Sequence, residues 1–113
     1  MTQHQYTTKD SGKRKKWSSG FNRDTDEDKL RFDLIPVELL ERLAGLYTRG
    51  AKKYGDSNWQ LAKEKDAIDR FKQSAWRHFI SWQKGEEDED HAVAVAFNIF
   101  AYEWLTKYKN ESN

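Results

Sequence analysis

The chain has 113 residues, with 20 Lys and Arg against 19 Asp and Glu for a formal net charge of +1, and no cysteine. That length argues for one domain and against a large two-domain enzyme, while the missing thiols exclude a disulfide framework, a thiolate metal site and a thiol nucleophile. Apolar residues are 36% and charged residues 35%, yet aromatics reach 14% with five Trp, too many for a wholly disordered chain, so a compact aromatic part and a polar part are expected to coexist.

The chain opens without an apolar leader, and no apolar run approaches the ~18 residues of a membrane span, so no membrane partner and a cytoplasmic location are expected. The near-neutral charge gives no overall case for nucleic acid. Residues 1–28 hold only four large apolar side chains, Met1, Tyr6, Trp17 and Phe21. A basic run, Lys13 to Lys16, precedes acidic Asp24, Asp26, Glu27 and Asp28. Such a segment buries too little surface to offset its ordering entropy and reads as a mobile, disordered polar arm. Its basic run is read as a solubilising tail ahead of a phosphate- or nucleic-acid-touching one.

Residues 29–113 read as an all-α domain. Residues 30–35 alternate imperfectly, as a short extended lead-in does. Pro36 suits a first helical turn, and Leu39, Leu40, Leu43, Leu46 and Tyr47 follow helical spacing, predicting a helix over 36–53. Gly45 and Gly50 weaken that helix, so close packing against them is expected. Residues 54–58 form a turn cluster and 59–65 a polar connection. Asp66 is the predicted N-cap of a second helix with an apolar face of Ile68, Phe71, Ala75, Phe79 and Trp82, stopped at Gly85. A third is expected to start within the acidic run 86–90, where carboxylates suit the helix dipole, and to end near Tyr108. It is apolar nearly all round and therefore central. The expectation is a small antiparallel bundle of three main helices. Its thin core leaves Trp76, Tyr102 and Trp104 beside the apolar stripes, so a homo-oligomer, dimer or tetramer, is expected.

Candidate chemistry lies within the helices. Glu38 and Glu41 are three apart, as are Glu87 and Asp90, and His78 precedes Gly85 by two turns. Inward-facing carboxylates and a His in a bundle build sites for hard cations such as Mg²⁺ or Mn²⁺, which bridge phosphate oxygens and lower the pKa of water. The ordinary reading stands beside this: Glu38 and Glu41 as dipole-facing carboxylates, the acidic run as a solvated helix start, His78 as a packed histidine. His91 and Asn98 lie seven apart, and Asn98 either bonds a neighbouring helix or reads a ligand. Arg49, Lys52 and Lys53 end the first helix, where cations suit the dipole. The run from Lys52 to Trp59, with Asn58 inside it, also combines cations, a turn, an amide and aromatics, a mix suited to a phosphate tail beside a stacked base. No P-loop sequence is present.

The string Arg31-Phe32-Asp33-Leu34-Ile35-Pro36-Val37-Glu38 resembles the opening motif of the phage and bacterial dATP/dGTP diphosphohydrolase-like family. Gly50-Ala51-Lys52-Lys53-Tyr54-Gly55-Asp56-Ser57-Asn58-Trp59 resembles its second motif. Arg77-His78 followed by Trp82, Gly85 and Glu86, then Asp90-His91 and Asn98, is similar to its third. The resemblance runs from about Gly20 to Trp104 and extends, more distantly, to the all-α MazG-like nucleoside triphosphate pyrophosphohydrolases. It implies cleavage of a deoxynucleoside triphosphate, dATP or dGTP, to the monophosphate and pyrophosphate with Mg²⁺ or Mn²⁺. It also implies an oligomeric helical bundle with sites between helices, adjusting a nucleotide pool in phage infection. The broader family carries an ExxE pair and an ExxD pair. Glu87-x-x-Asp90 matches the second, whereas His78 stands where a Glu of the first is expected and Glu38-x-x-Glu41 lies one helix earlier. Either the site is arranged around Glu38, His78, Glu87 and Asp90, or the metal site is degraded. On this reading Glu38, Glu87 and Asp90 are catalytic, and Glu38, Glu41, His78, Glu87 and Asp90 are metal ligands. Lys52, Lys53 and Arg77 face phosphates, and Asn58, Trp59, His91 and Asn98 bind the rest of the substrate. The alternatives are a nucleotide-sequestering module of the same fold without catalysis and an adaptor using the aromatic face and basic arm.

Overall fold

The computed structural model describes residues 5–25 and 27–110, so the readings made on Met1 and Asp26 lie outside the described residues. The chain divides into two compact units, one within residues 1–34 and the other within 35–113.

In the first unit, β1 (Arg14–Lys16) pairs antiparallel with β2 (Asn22–Asp24), Arg14 opposite Asp24 and Lys16 opposite Asn22. Composition predicts no such order. Local contacts supply it in place of buried surface. The Trp17 N–H donates to the Phe21 carbonyl at 2.8 Å, and the two rings meet with centroids 5.2 Å apart. The Asp24 carboxylate accepts from the Ser11 N–H at 2.9 Å, and Arg14 forks onto Asp10 at 2.7 and 2.8 Å. The expected extended lead-in also differs, containing a 3₁₀ turn, Phe32–Leu34, closed by the Leu34 N–H on the Arg31 carbonyl.

The second unit holds α1 (Val37–Tyr54), a 3₁₀ turn (Asn58–Leu61), α2 (Lys65–Gln83) and α3 (His91–Lys107), a small all-α bundle of three helices. Pro36 stands just before α1, its carbonyl accepting from the Leu39 and Leu40 N–H groups. Gly55, at φ +97°, ends the helix. The polar connection expected over 59–65 is in part the 3₁₀ turn. Asp66 is not the cap of α2: the helix begins at Lys65 after Glu64, and Asp66 sits in the first turn, where its charge still meets the positive end of the dipole. At the far end the Glu86 N–H reaches the Ser81 carbonyl and the Gly85 N–H the Trp82 carbonyl, a Schellman closure that needs Gly85 at φ +74°.

α3 starts later than the charge run predicts. Residues 86–90 form the loop after α2, and Asp90 caps α3 by accepting from the Val93 N–H at 3.4 Å. The reason is capping chemistry: the chain must turn back after Gly85, and Asp, unlike Glu, is a strong N-cap.

α2 and α3 pack along one another, and α1 leans more lightly on α3. Among the described residues the buried apolar side chains are Val93, Ala94, Ala101 and Leu105, all on α3, which is the central helix. Phe97 extends this core outward, with Tyr47 edge-on at 5.2 Å, Trp59 at 5.8 Å and Phe71 at 6.2 Å, and Trp59 in turn meets Trp104 at 5.3 Å. The close packing expected at Gly45 and Gly50 is not found. A Cβ at Gly50 would meet nothing within 4 Å, and one at Gly45 would meet only the flexible Arg49 guanidinium at 3.2 Å. Among the described residues no helix is long and apolar enough to cross a membrane.

Candidate functional site

A groove of about 1380 Å³ lies in the helical unit, bounded by α1, the turn after it, α2, the acidic loop and α3. Helical phase selects its lining. On α1, Arg42, Gly45, Arg49 and Lys53 recur every three or four residues and so share one face. On α2 the same rule brings Phe71, Ser74 and His78 to it. Glu87, Asp88, Glu89 and Asp90 come from the loop, and Ala94, Phe97 and Asn98 from α3. Cations of α1, with Glu41 among them, and acids of the loop thus line one groove together with the aromatic rings of Tyr47, Trp59, Phe71 and Phe97.

Arg42 bridges the two. Its Nε and Nη2 donate to the two Asp90 carboxylate oxygens at 2.8 Å each, a forked pair. The Arg42 guanidinium, with the Val93 N–H and the nearby Arg49 charge, holds the Asp90 carboxyl below the usual carboxylate range.

Beside this pair lies a histidine cluster. His91, 5% exposed, and half-buried His78 bring their Nδ1 atoms within 2.8 Å. His91 Nε2 lies 2.8 Å from Asp88 Oδ1, and the imidazole holds the Asp88 carboxyl below its ordinary value. His78, Glu89 and His91 each offer one ligand atom within 4.8 Å of the others, and so do Glu86, Asp88 and His91. Imidazole and carboxylate donors together suit a divalent cation.

Of the residues singled out in the sequence, Glu41, Lys53, Asn58, Trp59, His78, Glu87, Asp90 and Asn98 line the groove. Glu38 sits one turn before Glu41 on α1, outside that lining. Lys52 and Arg77 are also outside it, each about 100° around its helix from a groove residue, and Arg77 bonds Ser74 Oγ at 2.9 Å. His91 lies behind His78. Neither compact ligand group contains Glu38, Glu41, Glu87 or Asp90. Asn98 lines the groove, and its Nδ2 donates to the Ala94 carbonyl of its own helix at 2.7 Å rather than to a neighbouring helix. Trp59 is held edge-on by three aromatic rings. Sequence reasoning missed Arg42, Asp88 and Glu89. Arg42 stands next to Glu41 in the sequence, and nothing local marks it as the partner of an acid 48 residues away. Asp88 lies three residues before His91, a legible spacing passed over in favour of Glu87 and Asp90, which have the same one.

Residues 19–113 match the model of the family described as dATP/dGTP diphosphohydrolase, N-terminal. No curated protein sequence and no solved structure matches the chain.

Proposed function

Since the chain belongs to the dATP/dGTP diphosphohydrolase N-terminal family, we propose that its groove binds a purine deoxynucleoside triphosphate and hydrolyses it to the monophosphate and pyrophosphate. The observation that carries this reading is the presence of both charges in one groove: Arg49 and Lys53 of α1 line it together with His78 and Glu87 to Asp90. A triphosphate tail needs cations, and a reacting phosphoryl group needs a metal ion held by anionic or imidazole donors.

Arg49 and Lys53 neutralise phosphate charge. Asn58, at the start of the 3₁₀ turn after α1 and next to Trp59, offers an amide to the base or sugar. The Arg42–Asp90 fork ties α1 to the start of α3 and so fixes where the acidic loop sits against α1. The imidazole–carboxylate cluster of His78, His91 and the loop acids would hold the divalent cation. When bound, that cation polarises a phosphoryl oxygen and spreads the charge of the pyrophosphate leaving group.

The same reading includes self-association. Trp76 is 68% exposed, Phe100 56% and Trp82 52%, a large apolar surface for a chain this small. Equilibrium sedimentation is expected to give a dimer or tetramer, and a monomer at every concentration would remove that part.

The test of the activity is chromatography of products. The full chain is incubated with dATP, dGTP and the other nucleotides, with divalent metal and with EDTA. Metal-dependent release of monophosphate and pyrophosphate from dATP or dGTP is expected. A nucleotide retained without turnover would replace hydrolysis by sequestration, and neither binding nor turnover would overturn the reading.

A further inference from the structure

We infer that His78 Nδ1, His91 Nδ1 and Glu89 form a two-imidazole, one-carboxylate site for a transition-metal dication in preference to Mg²⁺, with Asp88 as the residue that positions His91. The inference rests on the cation requirement proposed above and adds the identity of the ligands and the class of metal.

The hydrogen-bond logic of the cluster gives the ligand atoms. The Asp88 carboxylate can only accept, so the 2.8 Å contact to His91 requires the proton on His91 Nε2. In the neutral ring His91 Nδ1 is then a lone pair that accepts the His78 Nδ1 proton at 2.8 Å, and a metal ion takes both nitrogens once that proton has moved to His78 Nε2 or been released to solvent. Two donors at right angles on a cation with bonds near 2.1 Å stand about 3 Å apart. The facing nitrogens therefore already have the separation of adjacent ligands. Glu89 brings its carboxylate within 4.8 Å of both. A carboxylate behind a metal-binding imidazole is the usual device for fixing its tautomer and raising its basicity. Burial of His91 makes the arrangement rigid, since the ring has no room to turn away.

The donor set then selects the metal. Mg²⁺ is hard, prefers oxygen and gives up its water reluctantly, whereas imidazole suits Fe²⁺, Co²⁺ and Zn²⁺. Three protein donors leave coordination positions free, and half-buried His78 and exposed Glu89 both line the groove where the phosphates would lie.

Titration of the full chain with Co²⁺, followed by its visible absorption, tests this without any nucleotide. One Co²⁺ per chain is expected, with an imidazole-ligated spectrum that a hundredfold excess of Mg²⁺ does not displace. His78→Gln should abolish tight binding. Asp88→Asn should weaken it by about 10- to 100-fold, the usual loss when the group behind a ligand is changed. In histidine-selective ¹⁵N spectra His91 should carry its proton on Nε2 before metal is added, and Nδ1 should shift on binding. Because His91 is buried, His78→Gln and Asp88→Asn are the informative variants, with helical circular dichroism as the control on folding. No Co²⁺ binding, Co²⁺ displaced by equal Mg²⁺, or binding unchanged in His78→Gln would each overturn the inference. Tight Co²⁺ binding without turnover would sink the hydrolase reading alone, and turnover without it would sink this inference alone.

Discussion

The Arg42–Asp90 fork makes a sharp statement at the scale of single residues. Asp90 has a carboxyl held low in the folded chain, so the pair contributes stability above the ordinary carboxylate pKa of about 3.9 and loses it as pH falls through the lower folded value. Asp88, held low by His91, adds in the same direction. Thermal melts are therefore expected to fall steeply in the acid range below the ordinary carboxylate pKa. Asp90→Asn should flatten part of that fall. Because Asn also caps helices well, the variant should keep its helical circular dichroism. Its turnover is expected to drop at least tenfold, since the forked tie between α1 and α3 is lost. Turnover at the parent rate would leave Asp90 with a capping role only.

At the scale of elements the loop between α2 and α3 matters most, because its path decides which acids meet His78. Gly85 makes that path possible with φ +74°. Gly85→Ala puts a Cβ into the left-handed region and should cost roughly 1–2 kcal/mol, read as a lower urea midpoint with unchanged slope. An unchanged midpoint would mean that the loop tolerates another route. The hairpin of the first unit is a separate element, held by local hydrogen bonds and ion pairs, and the family match begins only at residue 19. Deleting residues 1–19 should therefore leave turnover within about twofold, as two strands alone contribute little stability. A large loss would make the hairpin part of the working site.

For the whole molecule the governing quantity is the small buried core. Leu105 is among the few buried apolar side chains, so Leu105→Ala should cost about 2–5 kcal/mol, a large share of what a domain this small has. Differential scanning calorimetry would register this as a drop in Tm. A change within error would mean that the exposed apolar faces, joined to another copy, carry the stability instead.

Much of this was legible in the sequence, and the reasons are local. Helical spacing of Leu39, Leu43 and Leu46, the all-round apolar stretch 92–101 and the stop at Gly85 determine three helices and make the last one central, because periodicity and glycine chemistry act within a few residues. The motif strings likewise carry the family, and six of their candidate residues, Lys53, Asn58, Trp59, His78, Asp90 and Asn98, line one groove. Tertiary structure alone decided the rest. Whether Asp90 faces a metal or Arg42 depends on a partner 48 residues away. Whether Asp88 and Glu89 join His78 depends on where α3 begins, and a shift of that start by a few residues rotates every carboxylate of the run to a different side. Short-range pattern specifies the elements, but the meeting of side chains across them is set by packing and capping that no single segment contains.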